Sequence, residues 1–370
     1  MTDPLIYRIA LTMINGVGAT LARHLLQTCG EAEAVFAEKK QSLEKIPGIG
    51  STLAAGIKHP EVLERARKEA AFIEKNGIAC YFLEEETYPA RLKECPDAPL
   101  LFYFKGNADL DASHIVSIVG TRNATEYGRE LTEALIRDLA AAFPDLLVVS
   151  GLAYGIDVCA HKSALLHHLP TVGVLAHGLD RIYPAAHRST AVEMTGNGGL
   201  LTDFPSETQP DRAHFIKRNR IVAGLADVTV VIESAERGGS LITADIAFSY
   251  GRDVASFPGR TTDLHSKGCN ELIRQNKAAL ITSAADLISL MRWDVSPEKP
   301  KAPVQAELFF PENERNDLLL DIVRERKEIH LNQLARLTGL PVHKLSSLLF
   351  ELEMNGKIKA LPGNIYKSVL

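Results

Sequence analysis

The chain of 370 residues lacks most of the signatures that fix a function at a glance. Its five cysteines, Cys29, Cys80, Cys95, Cys159 and Cys269, are scattered and form no C-x-x-C pair. That spacing argues against a disulfide frame or a zinc ribbon, and for reduced thiols in a cytoplasmic setting. No run of about 18 apolar residues occurs, and the opening stretch MTDPLIYRIALTMINGVG has neither a basic n-region nor a clean apolar core. Neither export nor a membrane contact is therefore expected. Positive charge is not in excess: the net charge is −5, so any site for a polyanion must be a local patch.

Ligand fingerprints are missing too. No G-x-G-x-x-G with a following ribose-binding acid marks the first central strand, no G-x-x-x-x-G-K-[ST] occurs, and no G-x-S-x-G elbow is present. These absences argue against NAD or FAD, against a P-loop and against a hydrolase nucleophile, so no cofactor is expected. His161, His167 and His168 have no carboxylate set beside them, which argues against a metal.

What is present centres on residues 203–259. A basic cluster, Arg212, Lys217, Arg218 and Arg220, contains no acid. An apolar run at 228–232 follows, and then a turn, Arg237-Gly238-Gly239-Ser240, opens a helix. Around this stretch, short apolar runs alternate with helical periodicity. Strands are expected at 79–83, 115–119, 146–150, 171–175, 199–203, 228–233, 253–257 and 279–282. Helices are expected at 125–142, 156–168, 214–225, 240–251 and 267–276. Near-continuous apolar strands between amphipathic helices predict an α/β fold, a Rossmann-like doubly wound and mostly parallel sheet. Ligands on such sheets sit beyond the carboxyl ends of the strands. Five loops there should converge: 120–125, 150–157, 177–188, 204–220 and 236–240. They bring Gly120, Gly151, Gly238, Gly239 and Ser240, and the cations Arg122, Arg181, Arg188, Lys217, Arg218, Arg220 and Arg237. Glycine loops and helix starts present backbone N–H groups to an anion. Asp157 and Ser240 read as helix caps.

Two flanking modules complete the chain. Ile14-Asn15-Gly16-Val17-Gly18 and Ile46-Pro47-Gly48-Ile49-Gly50 echo each other, each leading into an apolar helix. This is the helix-hairpin-helix pattern, in which the glycines either admit a phosphate, with Lys58 as the nearby cation, or only make tight turns. Residues 294–315 are Pro-rich and charged and read as a linker. Helices expected at 317–325, 331–338 and 343–354, then a hairpin about Pro362-Gly363-Asn364, make a winged helix. Its third helix carries His343 and Lys344 but also Glu351 and Glu353, so protein contact competes with duplex DNA binding. The expected domains are 1–78, 79–293 and 316–370.

The stretches SIVGTRNATEYG, VVSGLAYGIDVCAH, HGLDRIYPAAH, FIKRNRIVAGLAD, ERGGSLITADIAFSYGRDVASFPG and SKGCNELIRQNKA resemble the DprA/Smf family of bacterial DNA-processing proteins, in order and with compact spacing. The resemblance implies a non-enzymatic, homodimeric protein that protects incoming single-stranded DNA and loads the RecA recombinase during transformation and recombination. It further implies a pocket using the Arg of G-[ST]-R, here Arg122, and the segment Lys217-Arg218-Asn219-Arg220. Family members often carry Lys after G-L-D. Here the stretch from Arg181 to Arg188 has none, and His187 or Arg188 would have to serve. Tyr154, Tyr183 and Phe215 are the aromatics available to stack bases. A rival reading is a nucleotide-processing enzyme resembling phosphoribohydrolases, with Asp245 near the position of their glutamate.

Overall fold

The computed structural model describes residues 4–293, 312–340, 342–361 and 364–369. They fall into two compact units, 1–295 and 296–370.

The first unit opens with six helices, α1 (Pro4–Thr12), α2 (Ala19–Cys29), α3 (Ala32–Ala37), α4 (Lys40–Leu43), α5 (Ser51–Ile57) and α6 (Pro60–Asn76). Gly16 and Gly48 take φ of +82° and +87°, the left-handed region that turns the chain into α2 and α5. A Cβ on Gly16 would lie 2.9 Å from Leu53, and one on Gly48 would lie 2.7 Å from Leu21. Leu21 and Leu53 hold equivalent places in the two hairpins, so each turn packs on the other hairpin's leucine. The ammonium of Lys58 donates to the Phe36 carbonyl.

Then come β1 (Ala79–Phe82), α7 (Ala90–Lys93), β2 (Leu101–Gly106), β3 (Ile115–Val119), α8 (Glu126–Ala142), β4 (Leu147–Ser150), α9 (Ile156–Leu166) and β5 (Thr171–Val174). A 3₁₀ turn at Ala185–His187 leads to α10 (Arg188–Met194), β6 (Gly198–Thr202), α11 (Arg212–Leu225), β7 (Val228–Val231), α12 (Gly239–Ser249), β8 (Asp253–Ser256), α13 (Lys267–Arg274), β9 (Ala279–Leu280) and α14 (Ala284–Met291). The sheet order is β1-β2-β6-β5-β4-β3-β7-β8-β9. From β6 to β9 every pairing is parallel, which is the doubly wound core that the alternation predicts. The chain reverses its winding between β3 and β7, so a crevice opens there.

The sequence reading missed β2. It pairs antiparallel with both β1 and β6, and Gly106 lies so close to Gly198 and Gly199 that no side chain fits. The strands alternate between two cores. In β3, Ile115 and Val119 face one side with the N-terminal helices, α11, α12 and α13, while Val116 and Ile118 face α8, α9 and α14. The first core runs without a break from Ile9 to Ala278, so the helical segment and the sheet share one interior.

A polar clip reinforces that junction. The buried carboxylate of Glu69 on α6 accepts from the Ser206 backbone N–H at 2.9 Å, the Ser206 hydroxyl at 2.5 Å and Arg65 at 2.9 Å. Ser206 lies on the loop that enters α11.

The second unit comprises α15 (Glu312–Arg326), β10 (Glu328–His330), α16 (Leu331–Thr338), α17 (Val342–Met354), β11 (Ile358–Leu361) and β12 (Ile365–Ser368), with sheet order β10-β12-β11. Leu319, Val323, Leu334, Leu345, Leu349 and Ile358 fill its core. This is a winged helix. Its first helix begins at Glu312, inside the segment read as linker; residues 294–311 of that linker, and Pro362 and Gly363 of the turn, lie outside the described residues.

Candidate nucleic-acid cleft

A cleft of about 970 Å³ sits at the crevice between β3 and β7, with floor and walls formed by the loops after β3, β4 and β7 and by α11. The first loop, 120–125, is tightly fixed. Gly120 packs on Ile156, and the Thr121 N–H donates to the Glu233 carbonyl at 2.8 Å. The buried Glu233 carboxylate, just beyond β7, accepts from the Thr125 N–H at 3.0 Å and its hydroxyl at 2.6 Å, while Thr125 caps α8. The sequence reading had placed Glu233 only as a strand end. This anchoring leaves Arg122 exposed at the cleft's rim, with its guanidinium 5.2 Å from the Phe215 ring centre. Tyr183 approaches the same ring at 6.0 Å. A cation, a half-buried phenyl and an exposed phenol thus share one mouth, a surface suited to phosphate and to the flat face of a base.

Of the residues singled out in the sequence, Gly120, Arg122, Gly151, Arg218, Asn219, Gly238, Gly239 and Ser240 line this cleft. All five loops reach the cleft, the third through Tyr183 alone, but Arg181, Arg188, Lys217 and Arg220 do not line it, which corrects the expectation that these four cations serve the site. Helical geometry is the reason for two of them. Arg212, Phe215, Ile216, Asn219 and Val222 follow i, i+3, i+4, i+7 spacing on α11 and face the cleft. Lys217 and Arg220 fall on another face, where both meet Asp203, at 3.5 and 2.5 Å; Arg220 also donates to the Asp97 carbonyl. Arg181 is engaged by Asp180 and Gln209. Arg188 begins α10, exposed, and His187 is buried with Nδ1 2.9 Å from the Leu152 carbonyl oxygen.

Arg218 lies at the floor and is almost fully buried. Its guanidinium donates to the carbonyls of Gly151, at 2.7 Å, and Val174. Across Gly151 it faces the buried carboxylate of Asp157. A Cβ on Gly151 would lie 2.5 Å from Arg218 Nη2 and 2.6 Å from Asp157 Oδ2, so only glycine fits between them. Burial drives both groups toward neutrality. It lowers the Arg218 pKa to about 10, with the Asp157 charge opposing, and it raises that of Asp157, with the Arg218 charge opposing. The Asp157 carboxylate also accepts weakly from the Ala153 N–H at 3.4 Å, ahead of the helix; Gly155 holds the cap position of α9 without a side-chain bond, so Asp157 is not the cap expected from the sequence.

The last wall is the start of α12. Gly238, not Ser240, occupies the cap position, and the Ser240 hydroxyl donates instead to Ser234 at 2.9 Å. Gly239 is exposed, with open space beside it. Arg237, expected among the cations of the converging loops, and Arg212, expected only as part of the basic cluster, complete the rim. Among the described residues, no ion pair engages Arg122, Arg212 or Arg237. The rim is therefore locally positive in an acidic chain, and it borders N–H groups at a helix start. Asp245, also lining the cleft, is held by Lys277 at 2.7 Å.

Fold and cleft together define a Rossmann-like protein with a positively rimmed cleft, preceded in the chain by a helix-hairpin-helix module and followed by a winged helix. Comparison with known proteins agrees. The family model of DNA recombination-mediator protein A matches residues 79–292, a winged-helix model of the DprA type matches 300–364, and a SAM-like helix-hairpin-helix tandem matches 9–58. The DNA processing protein DprA of Streptococcus pneumoniae is 39% identical over 205 residues, 55% of this chain and 71% of that protein. The X-ray structure of DNA processing protein A from the same species superposes with a TM-score of 0.63 at 32% identity, covering 78% of this chain and 98% of that one. DNA processing protein A of Helicobacter pylori, solved for its single-stranded DNA binding mode, gives 0.52 at 29% identity over 58% and 95%. The chain belongs to the DprA/Smf family of DNA-processing proteins.

Proposed function

We propose that the cleft binds the backbone of single-stranded DNA, and that through it the protein protects incoming strands and loads the RecA recombinase in DNA uptake and recombination. In this reading it acts in the cytoplasm as a homodimer and by binding alone, without a catalytic step. The observation that carries the reading is the rim: Arg122, Arg212 and Arg237, in no ion pair among the described residues, surround an aromatic pair and the exposed start of α12. Arginines neutralise phosphates, aromatic faces stack unpaired bases, and neither reads sequence. The single-stranded DNA binding named for the H. pylori relative supports the same ligand. The carboxylates Asp157 and Asp245 face Arg218 and Lys277, an arrangement that favours holding a strand over cleaving a glycosidic bond.

The test is fluorescence anisotropy with a labelled single-stranded oligonucleotide. Arg122→Glu is expected to weaken binding at least about tenfold and to flatten the dependence of log affinity on log salt by about 0.7, one phosphate contact. Unchanged affinity and slope would remove Arg122, and the cleft with it, from the binding surface.

The winged helix supports protein contact over duplex DNA. Val342, Phe350 and Met354 are exposed on α17 at four-residue multiples, an apolar line rather than a basic one. Tighter binding of a duplex than of a single strand in the same titration would reverse that preference.

A further inference from the structure

The cleft does not end at Arg122. Beyond that side chain a second groove, of about 980 Å³, runs between α8 and α9, and Arg122 lines both. Gly155, Cys159, Lys162 and Leu166 succeed one another along α9 at three- and four-residue steps, so they form one line on its surface. At 1.5 Å per residue that line is about 16 Å long. Arg129, in the first turn of α8, stands across from it and donates to the Ala124 carbonyl at 2.7 Å, which ties this wall to the loop that carries Arg122. Among the described residues, neither Arg129 nor Lys162 is in an ion pair, and both are exposed. One acid, Glu133, lies among them.

Tyr154, half exposed, lines this second groove together with Arg122. Its ring meets the buried His187 edge-on, with centroids 4.8 Å apart and planes at 71°. That contact holds the phenol in place by one edge.

We propose that this groove carries the continuation of the strand bound in the cleft. The strand crosses Arg122, lays a base on Tyr154 and sets its next phosphates on Arg129 and Lys162. The inference rests on reading the cleft as a single-stranded DNA site. Three observations select nucleic acid as the occupant: the groove is continuous with that cleft through a shared arginine, its three cations, in no ion pair among the described residues, outnumber its one acid, and its lining includes a fixed aromatic side chain. An open groove also suits a polymer that passes through rather than a ligand that ends inside.

The experiment uses the full chain and two labelled oligothymidylates. One, of about 6 nucleotides, fills the cleft alone; the other, of about 20, exceeds the ~4–16 nucleotides that single-strand sites span. The wild type is expected to bind the longer probe more tightly. Lys162→Glu, which leaves the Arg129 bond to the Arg122 loop in place, is expected to leave the short probe unchanged and to weaken the long one several-fold; adding Arg129→Glu should bring the loss on the long probe to about tenfold. For two lost phosphate contacts the salt slope of the long probe should flatten by about 1.4. Cys159, partly buried in the groove, gives a second readout in the unaltered protein: its alkylation should slow with the long probe and not with the short one. A long probe bound equally well by the double variant, or one that leaves Cys159 unprotected, overturns the proposal, and the groove is then a surface for another macromolecule. Equal weakening of both probes by Lys162→Glu also overturns it. Failure of the wild type to bind even the short probe strikes at the cleft reading instead.

Discussion

Replacing Arg218 by methionine separates a floor residue from a DNA contact. The side chain is buried, and its guanidinium serves two buried carbonyls, those of Gly151 and Val174. Methionine fills the volume but donates nothing. Two acceptors left unsatisfied cost about 1–3 kcal/mol each. Removing a buried guanidinium returns part of that through its own desolvation, so a net loss of about 2–4 kcal/mol is expected. At roughly 2–4 °C per kcal/mol for a unit of this size, the transition of the first unit should fall by about 5–15 °C in calorimetry.

The pH dependence follows from Asp157. Burial raises its folded pKa above the unfolded value and the Arg218 charge opposes that rise, so without Arg218 it rises further. A carboxyl with a raised folded pKa binds its proton first in the folded state. Its destabilising contribution is complete above the folded pKa and absent below the unfolded one. The deficit of Arg218→Met should therefore narrow as the pH falls through the range where Asp157 protonates. Adding Asp157→Asn should recover part of it at neutral pH. A variant as stable as the wild type that has lost only oligonucleotide affinity would refute the argument and make Arg218 a direct contact.

Two further substitutions test the supports of the cleft. Gly120→Ala would bring a Cβ to 2.7 Å from the Ile156 Cβ and should destabilise by about 1–3 kcal/mol, measured by chemical denaturation, with weakened oligonucleotide binding because the Arg122 loop shifts. Glu69→Ala leaves the Ser206 N–H and hydroxyl without their acceptor and Arg65 without its carboxylate. A loss of about 2–4 kcal/mol is expected, with faster proteolysis of the loop entering α11; equal protease resistance would show that the clip does not order that loop.

The central α/β core was readable because parallel strands buried on both faces are nearly all apolar, as 115–119 and 228–231 are apart from Ser117 and Thr229. The cleft's loops were readable because glycines mark close approaches, as at Gly120 and Gly151. Three features were not. The strand Leu101–Gly106 follows a proline-punctuated stretch, and only its long-range pairing with β6 identifies it. The cluster Lys217-Arg218-Asn219-Arg220 reads as one unit along the chain. On a helix, four successive side chains point four ways, and the i, i+3, i+4, i+7 series from Arg212 is the signal that would have sorted them. Arg129 and Lys162 are single cations on separate helices, and only the packing of α8 on α9 makes them neighbours.

The reciprocal packing of the two N-terminal turns also bears on cooperativity. Gly16 is covered by a leucine of the second hairpin and Gly48 by one of the first, so neither hairpin has an interior of its own. The two behave as a single opening unit: amide exchange in α2 and α5 should accelerate together when either leucine is shortened, and a chain cut between them should order neither.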